Sequence, residues 1–144
     1  MPDLKTEDVD VPDGIPIRLR RMENEGAPPV LLLHGASAQS GTFLIPAGNS
    51  LADYLWRHGY EPWLLDWRGS CVVTKKMQSE GDLQAKRRLL DLDLAASQDL
   101  RLAIERIQVD HPSDRVHIIA HCLGAAVVAQ AIASDTIPLE RVGR

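Results

Sequence analysis

Three short segments constrain this chain more than anything else in it. Val30-Leu31-Leu32-Leu33 is a continuous apolar run, and Glu61 to Trp67 (EPWLLDW) and Val116-His117-Ile118-Ile119-Ala120 read as two further strands. A strand with one wet face alternates apolar and polar residues, whereas a continuous run suits a parallel strand buried on both faces. Helical spacing fills the intervals between and after these segments. Strands alternating with helices predict an α/β fold with an open, mostly parallel sheet. Ahead of the first run, candidate strands at Val9–Val11 and Ile15–Met22 flank Pro12-Asp13-Gly14, a strong turn signal, so an N-terminal hairpin is expected.

The helices are readable from their caps and periods. Asn49 or Ser50 can cap a helix ending near His58, with Leu51, Tyr54, Leu55 and His58 on one face and Gly59 as its stop. Residues 71–88 read as a polar stretch with solvated basic pairs, Lys75-Lys76 and Arg87-Arg88. A long helix is predicted from about Leu89 to Val109, carrying Leu89, Leu92, Ala96, Leu100, Ala103, Ile104 and Ile107 on its apolar face. Asp91 and Asp93 fall where the helix dipole favours negative charge, and His111-Pro112 ends the pattern. A last helix of small and β-branched residues runs to about Ser134, with Ala125, Val128, Ala129 and Ile132 as its expected buried stripe.

At 144 residues, with no repeat or obvious linker, the chain suits one domain, 1–144. The formal charge of −4 argues against a nucleic-acid partner, which would normally call for a basic face. No apolar run approaches the roughly 20 residues that span a bilayer. The acidic start MPDLKTEDVDVPDG does not read as a signal or transit peptide. With only Cys71 and Cys122 present, a reduced cytoplasmic setting without a disulfide is expected.

The sharpest chemical signal is Ala120-His121-Cys122-Leu123-Gly124, between an apolar strand and a helix of small residues. The pattern small-x-nucleophile-x-small describes a tight strand-to-helix turn, a nucleophile elbow. Its flanks must be small because the backbone packs closely there, and it lifts one side chain above the sheet. Here that side chain is a thiol, placed where a helix N-terminus favours thiolate. A free Cys is often a core residue, but the elbow position is one where the side chain is exposed. His121 adjoins Cys122 and points elsewhere around the turn, so it reads as structural. His34, before Gly35 at a strand end, reads as shaping its loop. Asp66 and Arg68 read as fixing the turn after their strand, and Cys71 as a loop thiol. His58, His111 and His117 read as surface or loop residues.

With these motifs in order, the chain resembles the α/β-hydrolase fold family over nearly its whole length. Val30-Leu31-Leu32-Leu33-His34-Gly35 is similar to the family's third strand and His-Gly oxyanion loop. Asp66-Trp67-Arg68-Gly69 is similar to the Asp-x-Arg-Gly segment after the fourth strand. Residues 116–134 resemble the fifth strand, elbow and following helix. A Cys at the elbow is similar to dienelactone hydrolases and polyhydroxyalkanoate synthases. The texture of His-Cys-Leu-Gly-Ala resembles the α/β-hydrolase domains associated with GMC-type oxidoreductases.

The resemblance implies a hydrolase or acyltransferase acting on a small ester, lactone or thioester through a Cys122 acyl-enzyme. It implies an oxyanion hole from the backbone N–H groups of Leu123 and Ala36, supported by His34, Gly35, His121 and Gly124. Ser37 could add a hydroxyl donor. No metal or organic cofactor is implied. In this fold the acid and the histidine follow the nucleophile. After Cys122 the sequence holds Asp135 and Glu140 and no histidine, and Asp135 comes too early to be the acid. The expectation is therefore a truncated fold, the N-terminal half through the elbow and its helix, inactive alone. The alternative is a non-catalytic remnant or a half-domain that needs a partner chain. The expected strand order is hairpin, 61–66, 30–34, then 116–120 at the edge, where an uncovered strand invites self-association.

Overall fold

The computed structural model describes residues 2–81, 88–89 and 91–143. Five strands form one sheet in spatial order β1-β2-β4-β3-β5. They are β1 (Leu4–Val9), β2 (Ile17–Met22), β3 (Pro29–Leu33), β4 (Glu61–Asp66) and β5 (His117–Ala120). β1 and β2 form the antiparallel hairpin, and β2 meets β4 antiparallel. β3 is parallel to both β4 and β5. The expected order and directions of the sheet are those observed.

The hairpin's bounds differ from expectation. The turn closes through Gly14 N–H to the Val11 carbonyl at 2.9 Å, so Val11 belongs to the turn and β1 ends at Val9. β1 is hidden in LKTEDV because it offers little more than one apolar side chain to each face, Leu4 to the smaller core and Val9 to the larger.

Continuous apolar runs make sense once both faces are covered. Leu31, Leu33, Trp63 and Leu65 point into a core shared with the later helices. Val30, Leu32 and Leu64 point into a smaller one with Phe43, Ala52 and Leu55. Successive residues alternate between the two, as the strand period requires. α1 (Leu51–Arg57) covers the smaller core, and Ser50 caps it in a reciprocal capping box with Asp53. Of the expected Leu51-Tyr54-Leu55-His58 stripe it buries Leu55, together with Ala52, and leaves the other three exposed. Tyr54 and His58 instead stack on each other outside, ring centroids 4.0 Å apart. Gly59 ends the helix at φ +81°, a conformation natural to glycine.

α2 (Cys71–Ser79) occupies the start of the segment that reads as polar and irregular in the sequence, with Ser70 as N-cap and Val73 and Met77 buried. Lys75 and Lys76 on it are exposed, whereas Arg87 lies outside the described residues. The long helix, α3, spans 92–110, starting at Leu92 because Asp91 caps it by accepting the Leu94 N–H at 3.0 Å. Its Ala95–Leu100 stretch is π-helical.

α4 (Leu123–Ala133) buries Gly124, Val127 and Ala131. Ala125, Ala129 and Ile132, expected inside, are exposed. The tight approach at Gly124, described below, sets the helix's rotation and turns that stripe outward. After α4 the chain returns to the sheet. Val142 bridges Val116 in parallel, with Val116 N–H on the Arg141 carbonyl and Gly143 N–H on the Val116 carbonyl.

Candidate active site

Parallel strands β3, β4 and β5 end side by side, and the loops after them form one surface: residues 34–39, 67–70 and 121–122. Backbone bonds tie the loops together. Ser37 N–H donates to the Gly69 carbonyl at 3.0 Å, Cys71 N–H to the Ala38 carbonyl at 2.9 Å, and His121 N–H to the Leu33 carbonyl at 2.9 Å. The sequence motifs, far apart in the chain, thus converge at one end of the sheet.

Cys122 sits at φ 54°, ψ −123°, between β5 and α4, and it is exposed. A non-glycine residue in that region costs on the order of 1–3 kcal/mol, and such strain concentrates at functional turns. Gly124 is sterically required, and Gly35 is tightly placed. A Cβ on Gly124 would lie 2.6 Å from the His34 carbonyl oxygen and 2.8 Å from that of Leu33. A Cβ on Gly35 would lie 3.0 Å from Cys122 Cβ and 3.5 Å from its Sγ. Gly35 therefore presses the 34–38 loop directly against the elbow. His121 also reaches this place, its Nδ1 lying 3.4 Å from the same position, without a hydrogen bond to Cys122 among the described residues.

Two backbone donors stand open here. Neither the N–H of Ala36 nor that of Leu123 has an acceptor among the described residues, whereas the next donors along each loop are used. Gly124 N–H donates to the His121 carbonyl at 3.0 Å, and Ser37 N–H is taken by Gly69. Ser37 itself has φ 56° and is exposed.

Beneath the loops lies a buried polar layer. Asp66 accepts the Ser40 N–H at 2.7 Å, the Ser40 hydroxyl at 2.7 Å, the Ser70 hydroxyl at 3.1 Å and Arg18 at 2.8 Å. Burial pushes its pKa up, but these donors outweigh burial and hold the carboxyl below its ordinary range. Arg68 is fully buried, donating from Nε and Nη2 to Asp99 at 2.9 and 2.8 Å and from Nη1 to Asp13 at 2.9 Å. Asp66 and Arg68 thus fix the loops after β4, as the sequence suggests, and sit below the surface.

His34 is buried, its Nδ1 2.7 Å from the Gly35 carbonyl oxygen and its ring stacked on Trp67. His58 is exposed, as expected. His111 is not a surface residue. It is 92% buried at the opposite end of the sheet, its Nε2 2.5 Å from Glu61 Oε2. Sequence reading misses this pair because a Glu opening an apolar strand carries no local sign that it is buried. Glu61 also accepts from Arg21, Asn24 N–H and Trp63. Cys71 is half-buried and opens α2, so Cys122 is not the sole thiol at a helix start. Their difference is exposure.

Among the described residues, no cluster of three or more His, Cys, Asp or Glu side chains could hold a metal. No described helix is long and apolar enough to cross a membrane.

Comparison with known proteins agrees with this geometry. A family model, the alpha/beta hydrolase family, matches residues 30–143. Lipase 1 of Drosophila melanogaster is 41% identical over 59 residues, 40% of this chain and 13% of its own length. Sterol esterase 2 of Saccharomyces cerevisiae is 26% identical over 130 residues, 85% of this chain and 24% of its own. The chain thus spans a quarter or less of the length of these relatives. A dienelactone hydrolase from Anabaena variabilis superposes with a TM-score of 0.70 at 22% identity, covering 98% of this chain and 60% of that one. An esterase from Pyrococcus furiosus does so at 0.67 and 15%, covering 97% and 48%. With the strand order, the strained turn at Cys122 and the loop packed against it all in place, the chain belongs to the alpha/beta hydrolase family.

Proposed function

We propose that Cys122 is the nucleophile of an acyl-transfer site acting on an ester, lactone or thioester. One observation carries the reading: an exposed thiol on a positive-φ turn, with Gly35 packed against it and the Ala36 and Leu123 N–H groups without an acceptor among the described residues. Backbone donors that face no protein acceptor suit an oxygen that gains charge only during reaction. The names of the relatives, lipase, sterol esterase and dienelactone hydrolase, share ester chemistry.

In the proposed reaction the Cys122 thiolate attacks the acyl carbon and forms a C–S bond. The carbonyl oxygen takes the negative charge and is held by the two N–H groups. The C–O or C–S bond to the leaving group then breaks, and the leaving group takes a proton from solvent. A thioester remains on Cys122. Its release needs water, or another acceptor, to be deprotonated at the acyl carbon. Among the described residues no histidine or carboxylate bonds to Cys122, and a positioned base is worth roughly 10²–10⁴-fold. Gly35 and Gly124 serve by being small, and His121 lines the elbow.

The chain alone should therefore be acylated once by a nitrophenyl ester and turn over no further. The measurement is nitrophenol release: a slow stoichiometric burst is expected, and Cys122→Ala should abolish it. Sustained, Cys122-dependent turnover would require a base in reach, with His121 and His34 tested first. A second reading, a non-catalytic half-domain that needs a partner chain, is favoured by the open β5 edge and the exposed apolar face of α4. The absence of any burst in a folded chain would select it.

A further inference from the structure

A quarter of the residues in this chain are charged, yet three segments around Cys122 carry no Lys, Arg, Asp or Glu: 33–52, 69–74 and 116–134. Inside a strand such as β3 a charge-free run needs no explanation, because unpaired charges are not buried. At exposed positions the fold makes no such demand. Ala36, Ser37 and Gln39 after β3, His121 at the elbow, and Ala125 and Ala126 in the first turn of α4 are all exposed. A charged side chain at Gln39 or Ala125 would cost the fold little. The charges that do come near are neutralised beneath the surface. Asp66 is buried and paired with Arg18 at 2.8 Å, and Arg68 is buried between Asp99 and Asp13 at 2.8 and 2.9 Å. Along α2 the first exposed charge is Lys75, a full turn beyond Cys71.

Among the described residues, the loops around the thiol therefore offer a substrate no counter-ion. The donors they do offer are the N–H groups of Ala36 and Leu123, and the oxygen that gains charge during reaction needs both. A carboxylate on the acyl group would lose hydration without a partner, or compete with the reacting oxygen for those two donors. An ammonium would lose hydration too, and would meet the positive end of α4. A neutral acyl chain meets none of these penalties. We infer that the acyl group accepted at Cys122 carries no formal charge, and that the charge-free exposed positions around the thiol set this preference by leaving a charged acyl group unpaired. This rests on Cys122 being the nucleophile, and it narrows the ester, lactone or thioester to neutral acyl chains. Selectivity of this kind comes from a penalty on the wrong substrate rather than from an added contact with the right one.

Three nitrophenyl esters of matched chain length test this: the hexanoate, the adipate hemi-ester and the ω-trimethylammonio hexanoate. Acylation is read by mass spectrometry as the Cys122 adduct, at about pH 8, where an ordinary imidazole is neutral. Each rate is divided by that of the same ester with free mercaptoethanol, which removes the esters' own reactivity. The hexanoate should then lead both charged esters by at least about tenfold, the low end of what one mismatched group costs in a pocket. Supplying a counter-ion should relax the preference. Gln39→Arg or Ala125→Arg should raise the adipate-to-hexanoate ratio about threefold, the scale of two unit charges roughly 7 Å apart in water. The gain should fade in molar salt. Equal normalised rates for the three esters, a wild-type preference for either charged one, or no gain from either arginine would overturn the inference and leave Cys122 as the nucleophile. No adduct from any ester, with iodoacetamide alkylation of Cys122 intact, would instead overturn the nucleophile reading and take this inference with it.

Discussion

Cys122 is held in a backbone conformation suited to glycine, φ 54° and ψ −123°. Replacing it with glycine should release that strain and raise stability by about 1 kcal/mol, while removing the nucleophile. Urea unfolding checks the first effect and nitrophenol release the second; a Cys122→Gly chain less stable than wild type would mean the turn is not strained. Gly124→Val should act oppositely, because its side chain would meet the His34 and Leu33 carbonyls, and backbone cannot step aside. A loss of at least 1–3 kcal/mol is expected, roughly the cost of overpacking a tight site. Titration adds a third residue-scale effect. Burial raises the pKa of Asp66, but Ser40 and Arg18 lower it more, so its folded value lies below the ordinary 3.8. Glu61 is buried too, yet Arg21, Asn24 N–H and His111 bring it below 4.5. A carboxyl with a depressed folded pKa stabilises the fold above its unfolded value. That stability is lost as pH falls from the unfolded value through the folded one. Stability should therefore drop below about pH 4.5, with the drop shallower in Asp66→Asn. Equal acid limbs in the two proteins would show that Asp66 is not ionised in the fold.

At the scale of elements, the sequence was most legible where one local signal had one structural meaning. Ser50 announces α1 as an N-cap, and Ser50→Ala should cost about 1 kcal/mol in thermal or urea unfolding, since the hydroxyl accepts the Asp53 N–H and Asp53 accepts the Ser50 N–H. Loss of less than a few tenths would show the capping box idle. The three parallel strands, β3, β4 and β5, were legible for the same reason, being near-continuous apolar runs. Faces of helices were less legible. On α4 almost every residue is apolar or small, so periodicity cannot choose a stripe, and the close approach of Gly124 to the His34 carbonyl decides it. On α1, Tyr54 and His58 satisfy the helical spacing yet pack on each other outside. α2 was missed because two buried side chains, Val73 and Met77, are all its core needs. Within the site, Cys122, Gly35 and Gly124 were readable as a motif. The Asp66 hub was not, because it depends on partners brought in from other elements, Arg18 and Ser40.

Over the whole molecule the two sides of the sheet end differently. On the β1 side the last strand is short on apolar surface and carries Lys5, Glu7 and Asp8, charges that discourage further pairing. On the β5 side, among the described residues, only Val116 is bridged, to Val142, while Ile119 is 38% exposed and α4 turns Ala125, Ala129 and Ile132 to solvent. Unpaired backbone groups next to an apolar helix face make a template for another strand. The net charge of −4 is small for a repulsive defence, and salt screens it over about 8–10 Å. The isolated chain should therefore associate through this edge at tens of micromolar, a rough working range for exposed-edge species. Light scattering should report a mass above the 15.9 kDa of one chain. Ile119→Lys places a charge on the open face of β5 and should shift the mass back toward the monomer, leaving Cys122 alkylation unchanged. If wild type and Ile119→Lys scatter alike as stable monomers, the edge is protected by means other than charge. If both associate alike, the contact lies elsewhere, with the exposed face of α4 as the next surface to charge.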